Sequence, residues 1–245
     1  MPELHGRVIL ITGGNRGQGK AIAEHLVSLG AKVVIGARLY ENAQKVASVM
    51  GAYPVQLDVT KEAHWKEAIE EIQSEFGQLD ALVNNAGILK RKPFTDLSVE
   101  EYQELIEVNQ LGVFMGMQAV VPLMEKQRKG AIVNNVSISA FAPIGQSAAY
   151  AATKAAVVAM SKAAAIELGP KGIRVNMIHP GGVETEMATQ GKGVPDFYET
   201  IPLGRIGKPV EIARAVAFLV SDESSYCTGT EIVIDGGMTL GSADV

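Results

Sequence analysis

Seven short apolar runs, at 8–12, 32–37, 53–57, 79–84, 131–136, 174–179 and 231–234, punctuate the chain, and longer stretches of helical periodicity separate them. Such runs read as strands, and each change from continuous apolar sequence to a period of 3.6 marks the passage into a helix. Strand then helix, repeated, forces crossover connections, which build a parallel sheet with helices on both faces. The chain is thereby confined to the α/β class, as a doubly wound sheet of about seven strands.

No Pro/Ser-rich linker and no charge run divides the 245 residues, so residues 1–245 read as a single domain. A hydrophobic fraction of 47% and a charged fraction of 20% suit a sheet buried on both sides. The net charge of −5 argues against nonspecific binding to nucleic acid and favours a small-molecule partner. The apolar run behind the first residues is too short for a signal segment or a membrane span, so no membrane partner is expected. One cysteine, Cys227, excludes an internal disulfide, which makes the cytoplasm the natural setting. Cys227 itself reads as a small buried apolar side chain. His5, His25, His64 and His179 are too scattered to form a metal site, and only His179 lies close to the expected cleft.

Helix boundaries carry their own signals. The segment from Lys20 to Leu29 ends at Gly30, a suitable residue just past a helix. Thr60 reads as the N-cap of the helix carrying Trp65 and Ile69, and Ser98 with Glu101 forms a capping box.

Directly after the first strand comes Thr12-Gly13-Gly14-Asn15-Arg16-Gly17-Gln18-Gly19, followed at once by a helix. Glycine lets a backbone approach a ligand, while a helix start offers free N–H groups and a positive dipole end to phosphate oxygens. The spacing is not the commonest dinucleotide fingerprint, and a tight strand-to-helix connection is the bland alternative. The second strand ends Ala37-Arg38, where a carboxylate is expected if an adenosine ribose is to be held. A guanidinium instead pairs with a 2′-phosphate, and Arg16 adds a second cation. The expected cofactor is therefore NADP(H), with NAD(H) possible. A solvated charge at a helix start is the other reading of Arg38.

Farther along, Tyr150 and Lys154 are four residues apart, and Ser137 precedes Tyr150 by thirteen. On a helix that spacing brings phenol and ammonium onto one face, about 5–6 Å apart at Cβ. A tyrosine with a pKa of about 10 needs about 4 kcal/mol of help to ionise near neutrality, and the lysine is expected to supply part of it. By itself the pair also fits a solvated helix face.

The glycine turn, Asp58, Asn84-Asn85-Ala86-Gly87, Asn109, Ser137, Tyr150, Lys154 and Pro180-Gly181 occur in one order, and together they resemble the short-chain dehydrogenase/reductase family from Gly6 to Gly237. That resemblance implies a Rossmann-like fold and an oxidoreductase moving hydride between a nicotinamide cofactor and a ketone or secondary alcohol. It implies catalytic roles for four residues: Tyr150 as acid/base, Lys154 lowering its pKa and bonding the nicotinamide ribose, Ser137 holding the carbonyl oxygen, and Asn109 holding a relay water. It places Gly13, Asn15, Arg16, Gly17, Gln18, Gly19, Arg38, Asp58, Val59, Asn85, Ala86, Gly87, Pro180, Gly181, Val183 and Thr185 around the cofactor. Val183 and Thr185 would orient its carboxamide. A homotetramer formed partly by the helices around Gln103–Met124 and Tyr150–Leu168 is also implied.

Two positions depart from the family pattern. Ser139 competes with Ser137, although the offset to Tyr150 favours Ser137, and Gln18 stands where the family is usually aliphatic. Residues 183–205 form the expected substrate loop, with the Gly191-Lys192-Gly193-Val194-Pro195 stretch suited to a lid. Met187, Phe197 and Tyr198, with Phe141, Pro143 and Ile144, are expected to make a largely apolar pocket for a hydrophobic, cyclic or steroid-like substrate, or else to pack the loop against the domain. The resemblance extends to 3-oxoacyl-carrier-protein reductases, for which Arg128, Lys129 and Lys171 could dock an acidic carrier or simply be solvated helix-end charges. A noncatalytic NADP sensor on the same fold is the remaining reading.

Overall fold

A computed structural model describes residues 2–189 and 193–241. The strands are β1 Val8–Thr12, β2 Lys32–Ala37, β3 Tyr53–Gln56, β4 Ala81–Asn84, β5 Gly130–Asn135, β6 Ile173–Pro180 and β7 Glu231–Ile234. They form one wholly parallel seven-stranded sheet in the order β3-β2-β1-β4-β5-β6-β7. The helices are α1 Gly17–Ser28, α2 Tyr40–Met50, α3 Glu62–Phe76, α4 Val99–Ile106, α5 Gly112–Gln127, α6 Ala148–Leu168, α7 Glu186–Thr189 and α8 Pro209–Val220.

Alternate side chains of each strand go to opposite faces, which is how one sheet supports two cores. Ile9, Ile11, Val33 and Ile35 pack with Ile22 and Leu26 of α1 and Val216 and Leu219 of α8. Val8, Leu10, Val34 and Leu82 pack on the other face with Trp65, Ile72, Val120, Met124 and Val157, from α3, α5 and α6. Fully burying one such large side chain contributes about 1.5–3 kcal/mol. Strand order reverses between β1 and β4, and the crevice beyond their carboxyl ends is where an open α/β sheet accepts a ligand.

The expected strand ends hold for β1, β2 and β7, and the others move by one or two residues. β4 starts late because Gln127 takes both polar groups of the Leu79 backbone, each at 3.0 Å. Thr60 is not an N-cap: α3 starts at Glu62 behind Lys61, and Thr60 instead donates its amide and hydroxyl to Asp58 Oδ1 at 3.0 and 2.8 Å. The Ser98–Glu101 capping box is present, and Gly30 follows α1 at φ +86°. Between α4 and α5 the helix widens into a π turn, Glu107–Leu111, with Asn109 fully buried inside it. Cys227 is half-buried rather than enclosed. Among the described residues no helix is long and apolar enough to cross a membrane.

Candidate active site

The site begins where β1 runs into α1. Arg16, the residue before the helix, makes no side-chain bond to cap it. The first N–H groups of a helix have no partner within it, so these remain for an anion. Gly17 enters at φ +53°, and a Cβ on Gly19 would lie 2.3 Å from Gly13 O and 2.4 Å from Asn85 Nδ2. Gly19 is thus required by the close packing of the turn on Asn85, which sets the free helix start at the mouth of the crevice. Asn15 and Gln18 are half-buried beside it, while Arg16 is exposed.

Thr12 was not among the expected site residues, yet it holds the facing segment. Its buried hydroxyl accepts from the amides of Asn85 and Ala86 at 3.0 and 2.9 Å, and its carbonyl accepts from Asn85 Nδ2 at 3.0 Å. A polar residue closing an otherwise apolar strand was the available signal. The polarity of Gln18 also has a reason: Asn135 Nδ2 is shared between Gln18 Oε1 and Asn85 Oδ1 at 3.0 Å each. The start of α1, the end of β5 and the loop after β4 are joined by that one amide.

At the far end of the crevice Arg38 is exposed after β2. Burial opposes the charge of Asp58, but the bonds from Thr60 and the nearby charges of Arg38 and His64 outweigh it and hold the carboxyl below its ordinary pKa. Arg38 therefore faces an acid across the expected adenine position. Val59 is buried, and its carbonyl accepts from Trp65 Nε1 at 3.0 Å.

Lys154 is 4% exposed, and its Nζ donates to the carbonyl of Asn135 at 2.9 Å. The same Nζ lies 5.7 Å from the centroid of the Tyr150 ring, the shared face that the spacing predicts. Burial lowers the lysine pKa to about 8. Burial also raises the Tyr150 pKa above 10, against the hydrogen bond from Ser137 and the charge of Arg91. For the protein by itself the direction is thus the reverse of the expected one: desolvation outweighs Ser137 and Arg91 and favours the neutral phenol. The hydroxyl facing the phenol belongs to Ser137, whose Oγ is fixed by the amide of Ser139 at 3.1 Å.

Two further groups brace this centre. Asn109 Oδ1 accepts from the Ile88 amide, and Nδ2 donates to the Ile88 carbonyl, both at 2.9 Å, and also to Thr153 Oγ1 at 3.4 Å. A Cβ on Gly87 would lie 3.2 Å from Asn109 Oδ1 and 3.8 Å from Lys154 Nζ, so both flank that glycine. His179, fully buried, bonds through Nδ1 to the Ser137 carbonyl at 2.9 Å. Its Nε2 is 2.9 Å from Glu231 Oε2, a pairing that is charged only when the imidazole is protonated.

On the substrate side Pro180 ends β6, and the Gly181 amide donates to Ile234 O at 3.0 Å. The Val183 side chain is buried, and its carbonyl accepts from Thr185 Oγ1 at 3.3 Å. Phe141, Ile144, Met187 and Phe197, the residues of the expected apolar pocket, are 44–51% exposed. Tyr198 alone of the loop aromatics is buried, its ring 4.0 Å from that of Phe197. Gly191 and Lys192 of the expected lid lie outside the described residues. Lys129 pairs with Asp222 at 3.3 Å and Lys171 with Glu125 at 3.1 Å. With Arg128 they precede β5 and β6, at the strand ends opposite the cleft of their own chain.

The family model described as enoyl-(acyl carrier protein) reductase matches residues 13–239. The 3-alpha-(or 20-beta)-hydroxysteroid dehydrogenase of Mycobacterium tuberculosis is 45% identical, covering 98% of this chain and 92% of that protein. The cyclopentanol dehydrogenase of a Comamonas species is 42% identical, covering 98% and 99%. The crystal structure of 3-ketoacyl-(acyl-carrier-protein) reductase from Brucella melitensis complexed with NADH superposes with a TM-score of 0.91 at 38% identity, covering 96% and 99%. With the glycine cradle, the buried lysine and the tyrosine–serine pair in one crevice, these likenesses establish that the chain belongs to the short-chain dehydrogenase/reductase family.

Proposed function

We propose that the chain is an NADP(H)-preferring enzyme that interconverts a secondary alcohol and a ketone on a hydrophobic, cyclic substrate. The observation that carries this is the convergence of Ser137, Tyr150 and Lys154 beside the glycine cradle. The named activities of the hydroxysteroid and cyclopentanol dehydrogenases support the substrate class.

When bound, the nicotinamide supplies or takes the hydride. The chain's own residues handle charge and proton. The neutral Tyr150 phenol donates a proton to the carbonyl oxygen in reduction and recovers it in oxidation, and Ser137 gives that oxygen its second hydroxyl donor. Lys154, with its Nζ 5.7 Å from the Tyr150 ring centroid, would bond the nicotinamide ribose and balance the phenolate formed in each turnover. Both donor hydrogens of the Asn109 side chain are engaged by Ile88 and Thr153, so a relay water there would be held by its main chain.

Gly13 to Gly19 would carry the pyrophosphate, Asp58 and Val59 the adenine, Arg16 and Arg38 a 2′-phosphate. Asn85 to Gly87 and Pro180 to Thr185 would line the nicotinamide. We further place the enzyme in the cytoplasm as a homotetramer. Because Arg128, Lys129 and Lys171 lie away from their own cleft, nothing in the chain by itself favours the acyl-carrier reading over the free ketone.

Replacing Tyr150 by Phe removes the proton donor and leaves the cradle intact. Y150F should bind NADPH as the parent does, in a fluorescence titration, while turnover falls by about 10²–10⁴-fold. Turnover within a few fold of the parent would refute the tyrosine mechanism.

A further inference from the structure

The segment that follows Gly87 crosses the front of the site. Its start is tied to Asn109 through Ile88, and farther on the Lys92 amide donates to the Gln146 carbonyl at 3.0 Å, four residues before Tyr150. Between those anchors stand three cations in a row, Lys90, Arg91 and Lys92. Lys90 pairs with Glu104, and Lys92 pairs with Glu101 at 2.7 Å. The two carboxylates are three residues apart on α4 and share one face of it.

Between these two lysines, both turned to α4, stands Arg91, which is exposed and for which no ion pair or hydrogen bond is found among the described residues. Its charge reaches the phenol of Tyr150 on α6 and that of Tyr198 on the 3₁₀ turn Asp196–Glu199. Anchored at Asn109 and at Gln146, the segment carries this exposed guanidinium along the substrate side, where its charge favours ionisation of both hydroxyls. A neutral cyclic alcohol has nothing to offer that cation.

We propose that Arg91 binds a carboxylate carried by the substrate, so that the enzyme acts on a cyclic hydroxy acid or oxo acid in preference to a neutral alcohol. A guanidinium engages a carboxylate through two parallel hydrogen bonds, which would also fix the orientation of the ring. A phosphate at the end of a pantetheine thioester offers similar chemistry. The carboxylate is favoured because Arg91 acts on Tyr150 itself, and such a phosphate lies many bonds from its reacting carbonyl. This inference rests on the alcohol–ketone reading and sharpens its substrate class.

The test compares 4-hydroxycyclohexanecarboxylate with its methyl ester, equal in reach but uncharged, for the parent, Arg91→Met and Arg91→Lys. The parent should favour the acid by about tenfold in kcat/KM, mainly through KM. R91M should erase that preference, read as the ratio of acid to ester within each protein, while R91K should restore part of it.

Equal use of acid and ester by the parent would overturn the proposal. So would an R91M that slows the ester as much as the acid, since Arg91 would then serve the ionisation of Tyr150. A 3-oxoacyl pantetheine thioester preferred to both, and lost in R91M, would reassign the anion to phosphate and overturn the carboxylate. If neither alcohol is oxidised, the alcohol reading has failed, and calorimetric titration with cyclohexanecarboxylate still decides the inference. Binding about tenfold weaker in R91M upholds it, and equal binding refutes it.

Discussion

Lys154 is a cation that the fold has to keep where its charge is disfavoured. In an unfolded chain it holds its proton up to a pKa of 10.5, and in the fold only up to about 8. Between those values the unfolded state binds more protons, so this residue makes stability rise with pH across that window and imposes its full cost below pH 8. The cost is about 3 kcal/mol, offset by about 1 for the bond to Asn135. Lys154→Met should therefore be inactive yet more stable than the parent by about 2 kcal/mol at pH 7, with the advantage disappearing by about pH 10.5. The raised pKa of Tyr150 lowers stability only at higher pH, and it is present in both proteins. Urea unfolding of the two at pH 7 and pH 10 checks this, and a less stable variant at pH 7 contradicts it. The shared face of Tyr150 and Lys154 was legible in their spacing. The direction of their pKa shifts was not, because it depends on burial, which spacing does not encode. Arg91 was hidden for a related reason: three consecutive cations look alike until two of them find carboxylates on α4.

At the scale of elements, the strands were legible because parallel strands buried on both faces must be continuously apolar. Their ends were not, wherever a distant side chain rather than a neighbouring strand took the amide, as Gln127 does at Leu79. The Thr60 hydroxyl illustrates the same limit: locally it fits a cap, but Asp58 is the better partner. Arg38 lies at the junction of β2 and α2, where the proposed cofactor would end. Because the charge of this guanidinium already acts on Asp58, a 2′-phosphate would have to compete with a carboxylate, and on the proposed reading Arg16 would tip the balance. NADP⁺ should therefore exceed NAD⁺ in kcat/KM. Arg38→Asp should reverse the order, with a loss for NADP⁺ of about 10²-fold or more, as expected when a charge-assisted pair becomes a repulsion. A parent enzyme that prefers NAD⁺ would leave Arg38 as a solvated charge.

For the molecule as a whole, two helices of the same layer differ in what they show to solvent. The outer face of α3 carries Lys66, Glu67, Glu70 and Glu71, all exposed, as a solvated helix should. α6 instead exposes Ala152, Ala155, Ala159, Ala163 and Ile166, the last at 77%. Phe114 of α5 and Leu111 just before it are also more than 40% exposed. A small, apolar helix face allows the close approach that a symmetric partner helix needs, and burying it removes apolar surface from water. The opposite face of the same helix carries Tyr150 and Lys154, so association through α6 would also brace the catalytic pair. Sedimentation should show a four-chain species, with a melting temperature that rises with protein concentration. A doubly charged face, Ala159→Glu with Ile166→Glu, should yield smaller species without altering the cofactor cradle. Activity per chain should then fall on dilution for the parent and start low for the variant. A parent that sediments as one chain at every concentration would leave the apolar face of α6 without a partner, and the bracing of Tyr150 and Lys154 to the fold alone.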